Sequence, residues 1–281
     1  MAPNIKALRD LHYLAESFTL GSQGDSKDFL YTSFTYYDAN DHAYFGKIQK
    51  HKLEMSLEEV SAALTLIPDE DIYPLLSESG SLLCAAPDSI NLVPANELKG
   101  VFIKRPPIKD YDWYEEEDCV FIIPATLLEE AAALQHISQH EQHPNLIKFH
   151  GCRVRRGRIT GLMLDRYEHD LREFLRAGNT IDKERFLNGL ESAIRHLHSL
   201  GLAHNDINPG NIMVNEASGE PVLVDFGSCH KIGAELTASR GTPGWTEDGD
   251  DYTTSKESHD ISALDKIRLW LDKPIYTCNN S

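Results

Sequence analysis

The chain has 281 residues, 41% hydrophobic and 25% charged, proportions that support one substantial core or two modest ones and exclude disorder throughout. With 27 Lys and Arg against 44 Asp and Glu, the formal net charge of -17 argues against a nucleic-acid binder or a reader of anionic membranes, since both need clustered cations. Any electrostatic partner is expected to be basic, and simple solubility explains the charge equally well.

Residues 1–20 carry Ile5, Leu8, Leu11 and Ala15 near helical spacing, which predicts a short amphipathic helix before the breaker cluster 21–25. Residues 29–37 and 43–48 are rich in aromatic and β-branched residues around the turn-forming 38–41 tract, which predicts a hairpin. A helix is expected over 56–66, capped by Ser56 with Glu58 and Glu59 in its first turn and ended by Pro68. Short apolar pieces at 81–86 and 90–93 are broken by prolines, which places a loose boundary near residue 95. A strand is expected at 100–104 and another at 119–123, with the acidic, aromatic tract 110–118 (DYDWYEEED) a solvated insertion between them.

Residues 126–140 predict a helix capped by Thr126 with Glu129 at the capping-box position and Leu127, Ala131, Leu134 and Ile137 on its apolar stripe. Strands follow near 147–154 and 159–164, then a helix from Asp170. A longer helix from Asp182 or Lys183 to Leu200 carries Phe186, Leu190, Ile194 and Leu197 on one face and stops at Gly201. The five cysteines, Cys84, Cys119, Cys152, Cys229 and Cys278, form no C-x-x-C pair or zinc-type spacing and are read as reduced thiols. With no long apolar run and no leader pattern, a soluble intracellular protein, cytoplasmic or nuclear, is expected.

The chemistry is concentrated after that helix. His204-Asn205-Asp206-Ile207-Asn208-Pro209-Gly210-Asn211 is followed by an apolar strand at 212–214, a turn, and Val222-Leu223-Val224-Asp225-Phe226-Gly227. Asp206 and Asn211 on one loop, with Asp225 at the end of the next strand, can supply a base and two metal-facing oxygens. Phosphoryl transfer needs this set, because it depends on charge neutralisation by metal ions and on a carboxylate that orients the attacking hydroxyl.

These residues resemble the protein-kinase superfamily, whose H-R-D-x-x-x-x-N catalytic loop and D-F-G metal loop recur in this order and separation. The resemblance implies an α+β, two-lobed fold: a β-rich small lobe over 96–167 with the hinge, and a mainly helical, shortened large lobe over 168–281. Residues 1–95 are then an N-terminal extension of unreadable role, expected to pack on the small lobe. Val101-Phe102-Ile103-Lys104 resembles the family's V-A-I-K strand, so Lys104 would hold ATP phosphates and pair with Glu130; His143-Pro144-Asn145 after the helix matches the family's next connection. By the same likeness Leu164 gates the adenine pocket, the backbone of Asp165 to Tyr167 binds adenine, Asp206 is the base, and Asn211 and Asp225 hold Mg2+. Gly241-Thr242-Pro243-Gly244-Trp245 resembles the end of an activation segment, and Asp260 the residue that braces the catalytic loop.

The sequence departs from the pattern at several places. Between Ala86 and Lys104 the only glycine is Gly100, so no glycine-rich loop can close over phosphates. Asn205 replaces the usual Arg, which predicts no requirement for phosphorylation at Thr237, Ser239 or Thr242. Asn208 stands where serine kinases often carry Lys, and Glu247 is the only substitute for the closing P-x-E. The shortened large lobe is expected to leave Leu264, Ile267, Trp270 and Leu271 uncovered unless the N-terminal region or a partner chain covers them. Three functions stay open: an ATP- and Mg2+-dependent serine/threonine protein kinase acting on a protein substrate, a catalytically silent kinase-like binding module, and a small-molecule kinase of the aminoglycoside or choline phosphotransferase kind.

Overall fold

The computed structural model describes residues 3, 5–19, 28–77, 83–236, 241–246 and 252–274. Strands β1 (Tyr13–Phe18), β2 (Phe29–Tyr37), β3 (Ala43–Ile48) and β4 (Thr65–Leu66) form an antiparallel sheet in that order. The β2–β3 hairpin forms as expected, whereas the helix expected over 1–20 does not. In its place stand a 3-10 turn at Leu8–Asp10 and β1, with Leu14 opposite Phe34 on β2. The spacing of Ile5, Leu8 and Leu11 misled because all three pack with Leu14 on Phe34 and Val60 from an extended chain. The breaker cluster 21–25 lies outside the described residues.

Helix α1 (Leu57–Ala63) starts as predicted: Ser56 accepts from the Glu59 amide while the Glu59 carboxylate returns to the Ser56 amide, a box worth about 1 kcal/mol. It ends at Ala63, and Thr65–Leu66 form β4. Helix α2 (Asp69–Ile72) and helix α3 (Asp88–Asn91) follow.

The second sheet is built from β5 (Val101–Lys104), β6 (Phe149–Arg155) and β7 (Arg158–Asp165), all antiparallel, with β7 in the middle. Between β5 and β6 two expectations are corrected. Residues 110–118 are largely solvated as expected but not wholly so: they form helix α4 (Tyr111–Glu116), which buries Tyr111 against Phe45, Ile72 and Tyr73 of the N-terminal region. No strand forms at 119–123, because helix α5 (Ile122–Ser138) begins there, four residues before Thr126. Pro124 is tolerated in its first turn, where the amides lack intrahelical partners in any case. Thr126 therefore caps nothing and instead donates its hydroxyl to the Ile123 carbonyl at 3.0 Å.

The N-terminal sheet docks on the second sheet through charge as well as apolar contact. Asp41, fully buried and at φ 63, lies 2.6 Å from both Arg105 Nη1 and Arg153 Nε. Arg153 also donates to the carbonyls of Asn91 and Val93, and the Tyr73 hydroxyl donates to that of Asp41.

Below the second sheet lie α6 (Leu171–Arg176), capped by Asp170, and α7 (Lys183–Ser199), capped by Asp182. Phe186, Leu190, Ile194 and Leu197 of α7 are all at most 2% exposed, each contributing about 1.5–3 kcal/mol of burial. The helix ends at Gly201, whose φ of 75 is the left-handed cap expected there. Short strands β8 (Leu202–Ala203), β9 (Ile212–Asn215), β10 (Glu220–Leu223) and β11 (His230–Lys231) form two hairpin-like pairs, β9 with β10 and β8 with β11. Helix α8 (Glu257–Trp270) closes the described residues.

The uncovered face expected on α8 is corrected. Leu264 and Ile267 are 5% and 0% exposed within the main core, Trp270 and Leu271 pack against it, and the exposed apolar residues are Ile261 and Leu269. The α+β, two-lobed architecture of a protein kinase is thus present, with a β-rich upper half and a mainly helical lower one. Among the described residues no helix is long and apolar enough to cross a membrane.

Candidate active site

Lys104 ends β5, and its ammonium reaches two carboxylates: Glu130 on α5 at 2.7 Å and Asp225, just after β10, at 2.8 Å. Glu130 Oε1 also accepts the Phe226 amide at 3.0 Å, so α5 is tied to the loop that carries Asp225. Glu129, one position earlier, is directed instead toward His230 at 3.8 Å. Burial lowers the Lys104 pKa, but Glu130 and Asp225 outweigh it and hold the group above the usual lysine range. Burial raises the Glu130 carboxyl, opposed by Lys104; burial also works to raise Asp225, but Lys104 overcomes it and draws Asp225 below its usual range. Two carboxylates around one ammonium leave a net negative site that favours a further cation.

Asp206 is fixed from three directions. Its Oδ1 accepts the Thr242 amide at 2.8 Å and the Asn208 amide group at 3.2 Å, while Oδ2 accepts Asn211 Nδ2 at 3.0 Å. Asn208 also donates to the Thr242 hydroxyl at 3.2 Å. It therefore links the catalytic-type loop to the 241–246 segment. Asn211 uses its amide nitrogen on Asp206, which leaves the amide oxygen as a ligand atom beside the cleft.

The loop itself rests on Asp260, which is fully buried on α8. Its two oxygens accept the backbone amides of His204 and Asn205, both at 2.8 Å, and His198 Nε2 lies 2.9 Å away. His204 is a buried scaffold residue, set between the Val224 carbonyl at 3.0 Å and the Phe226 ring at 5.2 Å. Asn205 and Asp225 both sit at φ 62, a conformation non-glycine residues rarely take and one that is held here by these bonds.

Between the sheet and the β9–β10 hairpin lies a cleft of about 310 Å³. Lys104, Leu164, Asp165, Tyr167, Asn211 and Asp225 all line it, with Phe102, Ile147, Met213 and Val224 supplying apolar walls. Asp206 stands beside it through Asn211. At the hinge, the Asp165 amide is engaged by the Lys148 carbonyl and the Arg166 amide by that of Gly100. A larger cavity, about 440 Å³, lies behind α5 between Ala133, His136 and Leu202, away from these residues.

Mg2+ fits this donor set only with help. Among the described residues no three His, Cys, Asp or Glu side chains converge to hold a metal unaided. Asn211 and Asp225 offer two hard oxygens, the number an ion that keeps its other positions for phosphate and water requires.

Sequence reasoning missed the residues that close the 241–274 region. Lys266 Nζ donates to the carbonyls of Trp245 and Thr246 at 3.1 and 2.7 Å, and the Trp245 and Trp270 rings meet at 6.3 Å. The Tyr252 hydroxyl donates to the Asn205 carbonyl, and Asn205 Nδ2 donates to the carbonyls of Ala203 and Ser228 and to Ser255 Oγ. No short motif marks these contacts, because all but Asn205–Ala203 join residues 20 to 50 positions apart. Thr237, Ser239 and Glu247 lie outside the described residues.

The sequence matches the protein kinase domain family over residues 108–247, from just past Lys104 to the end of the segment that holds Asp206. A probable cell division control protein 7 homolog of Encephalitozoon cuniculi is 34% identical over 104 residues, covering 37% of this chain and 29% of that protein. The human serine/threonine-protein kinase/endoribonuclease IRE2 is 30% identical over 128 residues, 40% of this chain and 14% of that one. The MAP kinase kinase kinase win1 of Schizosaccharomyces pombe is 31% identical over 98 residues, 34% and 7% of the two chains. The match thus spans less than a third of each of these relatives. With half-buried Lys104 paired to buried Glu130, and the Asp206–Asn211 loop and Asp225 gathered at one cleft, the chain belongs to the protein-kinase superfamily.

Proposed function

We propose that this chain is an ATP- and Mg2+-dependent phosphotransferase of the serine/threonine protein kinase type, which moves the γ-phosphate to a protein hydroxyl. The observation that carries this reading is the Lys104 link to both Glu130 and Asp225, with Asp206 held at the same cleft by Asn211 and Thr242. Lys104 orients the α and β phosphates. The Tyr167 backbone at the hinge meets the adenine edge, since the amides of Asp165 and Arg166 are already engaged. Asn211 and Asp225 would hold Mg2+, which would neutralise phosphate charge.

Asp206 orients the substrate hydroxyl and accepts its proton as the oxygen–phosphorus bond forms and the bond to the ADP oxygen breaks. Asp260 keeps the loop in place. Residues 96–167 and 168–281 act as the two lobes of this site, and the first 95 residues act as a brace on the upper one. The serine/threonine type is supported by relatives so named. The 241–246 segment, bonded to Asp206, disfavours a small-molecule kinase.

A catalytically silent binding module is the second reading. It is favoured by the free edge of β5: among the described residues no strand pair lies above Lys104 to fold over phosphates. Titration of the purified chain with ATP, with and without Mg2+, followed by transfer of labelled phosphate to itself and to generic proteins, separates the two. Magnesium-dependent binding with transfer supports the kinase; binding without transfer supports the silent module.

A further inference from the structure

The peptide unit that leads into Asp206 is held at both of its polar atoms. Its carbonyl, on Asn205, accepts the Tyr252 hydroxyl, and its amide, on Asp206, donates to His204 Nδ1 at 3.3 Å. Because a peptide unit is planar, fixing it leaves φ of Asp206 as the one rotation between that plane and the Cα–Cβ bond. The carboxylate is therefore aimed from its backbone as well as by the bonds it receives from Thr242, Asn208 and Asn211.

The Asn205 side chain is fixed with equal care. Its Nδ2 faces three oxygens, the Ala203 and Ser228 carbonyls at 2.9 and 3.0 Å and Ser255 Oγ at 3.0 Å, which settles which end of the amide donates. Oδ1 then faces His259 Nδ1 at 3.1 Å and can only accept, so the imidazole carries a proton on Nδ1. The Tyr252 and His259 rings stack with centroids 4.0 Å apart and planes 24° apart. One stacked pair thus reaches the backbone oxygen and the side-chain oxygen of a single residue, and all three residues are buried. Gly241, at φ 81, passes so close that a Cβ there would lie 2.8 Å from the Asn205 carbonyl oxygen and 3.5 Å from the Tyr252 hydroxyl. The segment that bonds Asp206 through Thr242 leans on the same cluster.

Filling space does not require this chemistry. An apolar pair of rings would pack as well, but it would leave both Asn205 oxygens without these donors. We propose that Tyr252 and His259 are positioning residues for Asp206: stacked on each other, they hold the two oxygens of Asn205 and keep the neighbouring carboxylate turned toward the substrate hydroxyl, without help from a charged or phosphorylated group. This rests on the reading of Asp206 as the base. Loss of either bond frees the 205–206 peptide to turn, and a displacement of about 1 Å in a reacting group can cost about a hundred-fold in rate.

The test is steady-state transfer of phosphate from Mg-ATP to a generic protein such as casein, with ATP affinity measured beside it. The variants are Tyr252→Phe, His259→Phe and His259→Asn, each alone and combined with Asp206→Asn. Tyr252→Phe and His259→Phe each keep a ring and lose one donor, and turnover should fall about ten- to a hundred-fold in both while ATP affinity stays level. His259→Asn places an amide nitrogen near the position of Nδ1 and should recover most of that loss. Combined with Asp206→Asn, the same substitutions should remove no further turnover, since they act through that carboxylate; a role in stability alone would cost the same factor in both backgrounds. Unchanged turnover in Tyr252→Phe and His259→Phe, or equal losses with and without the Asp206 carboxylate, overturns the proposal and leaves the kinase reading standing. Absence of transfer by the unaltered chain removes the kinase reading and this proposal with it.

Discussion

Asp41 allows burial and bond length to be separated as sources of stability. Two Asp–Arg contacts join the N-terminal region to the second sheet at the same 2.6 Å separation. The Arg153–Asp41 side chains are both 0% exposed, and the Arg156–Asp69 side chains are 33% and 20% exposed. Asp41→Asn keeps the shape but leaves Arg153 and Arg105, whose side chains are 0% and 7% exposed, without their counter-charge. Breaking a buried pair from one side costs about 3–5 kcal/mol. At about 2–4 °C per kcal/mol for a chain of this size, the melting temperature should fall by about 6–20 °C. Asp69→Asn breaks a contact that solvent already screens and should cost about 1 kcal/mol or less. Urea denaturation of both variants beside the unaltered chain measures the contrast. Equal losses, or an Asp41→Asn loss under about 1 kcal/mol, would refute the argument that burial rather than contact length sets the strength of this brace.

Asp206→Asn should lower turnover by roughly a hundred- to ten-thousand-fold with nucleotide affinity nearly unchanged, read from steady-state kinetics and titration together. Phosphatase treatment should leave activity unaltered, because Asn205 already binds Ser228, Ser255 and Tyr252 directly; a large activity gain on phosphorylation would contradict this. Lys266→Met should loosen the 241–246 segment and cost activity more than nucleotide affinity, as followed by proteolysis and kinetics. His143, whose pKa is lowered by burial and then by the neighbouring His196, resists protonation in the folded state. Its contribution to stability should fall as the pH drops below the unfolded value of about 6.5. His143→Asn should flatten that decline in melting curves between pH 7 and 5.

The site was more legible in the sequence than the fold around it. Asp206, Asn211 and Asp225 belong to one loop–hairpin–loop unit, and short-range spacing carries such units. Lys104 and Glu130 were marked by the resemblance of 101–104 and the helix after it to the family's V-A-I-K strand and its partner helix. The start of α5 was misread because Val120, Ile122 and Ile123 look like a strand, while the force that places them is burial of Ile123 against Ile72, Tyr73 and Tyr111. The Asp41 brace was invisible for the same reason: its partners, Arg105 and Arg153, lie 64 and 112 residues away.

Magnesium dependence of ATP binding in the unaltered chain and in Asp225→Asn tests the central claim most directly. A converged Asn211–Asp225 site predicts that Mg2+ tightens ATP binding in the first and has little effect in the second. Equal Mg2+ dependence in the two chains, or ATP binding indifferent to Mg2+ in both, would contradict it.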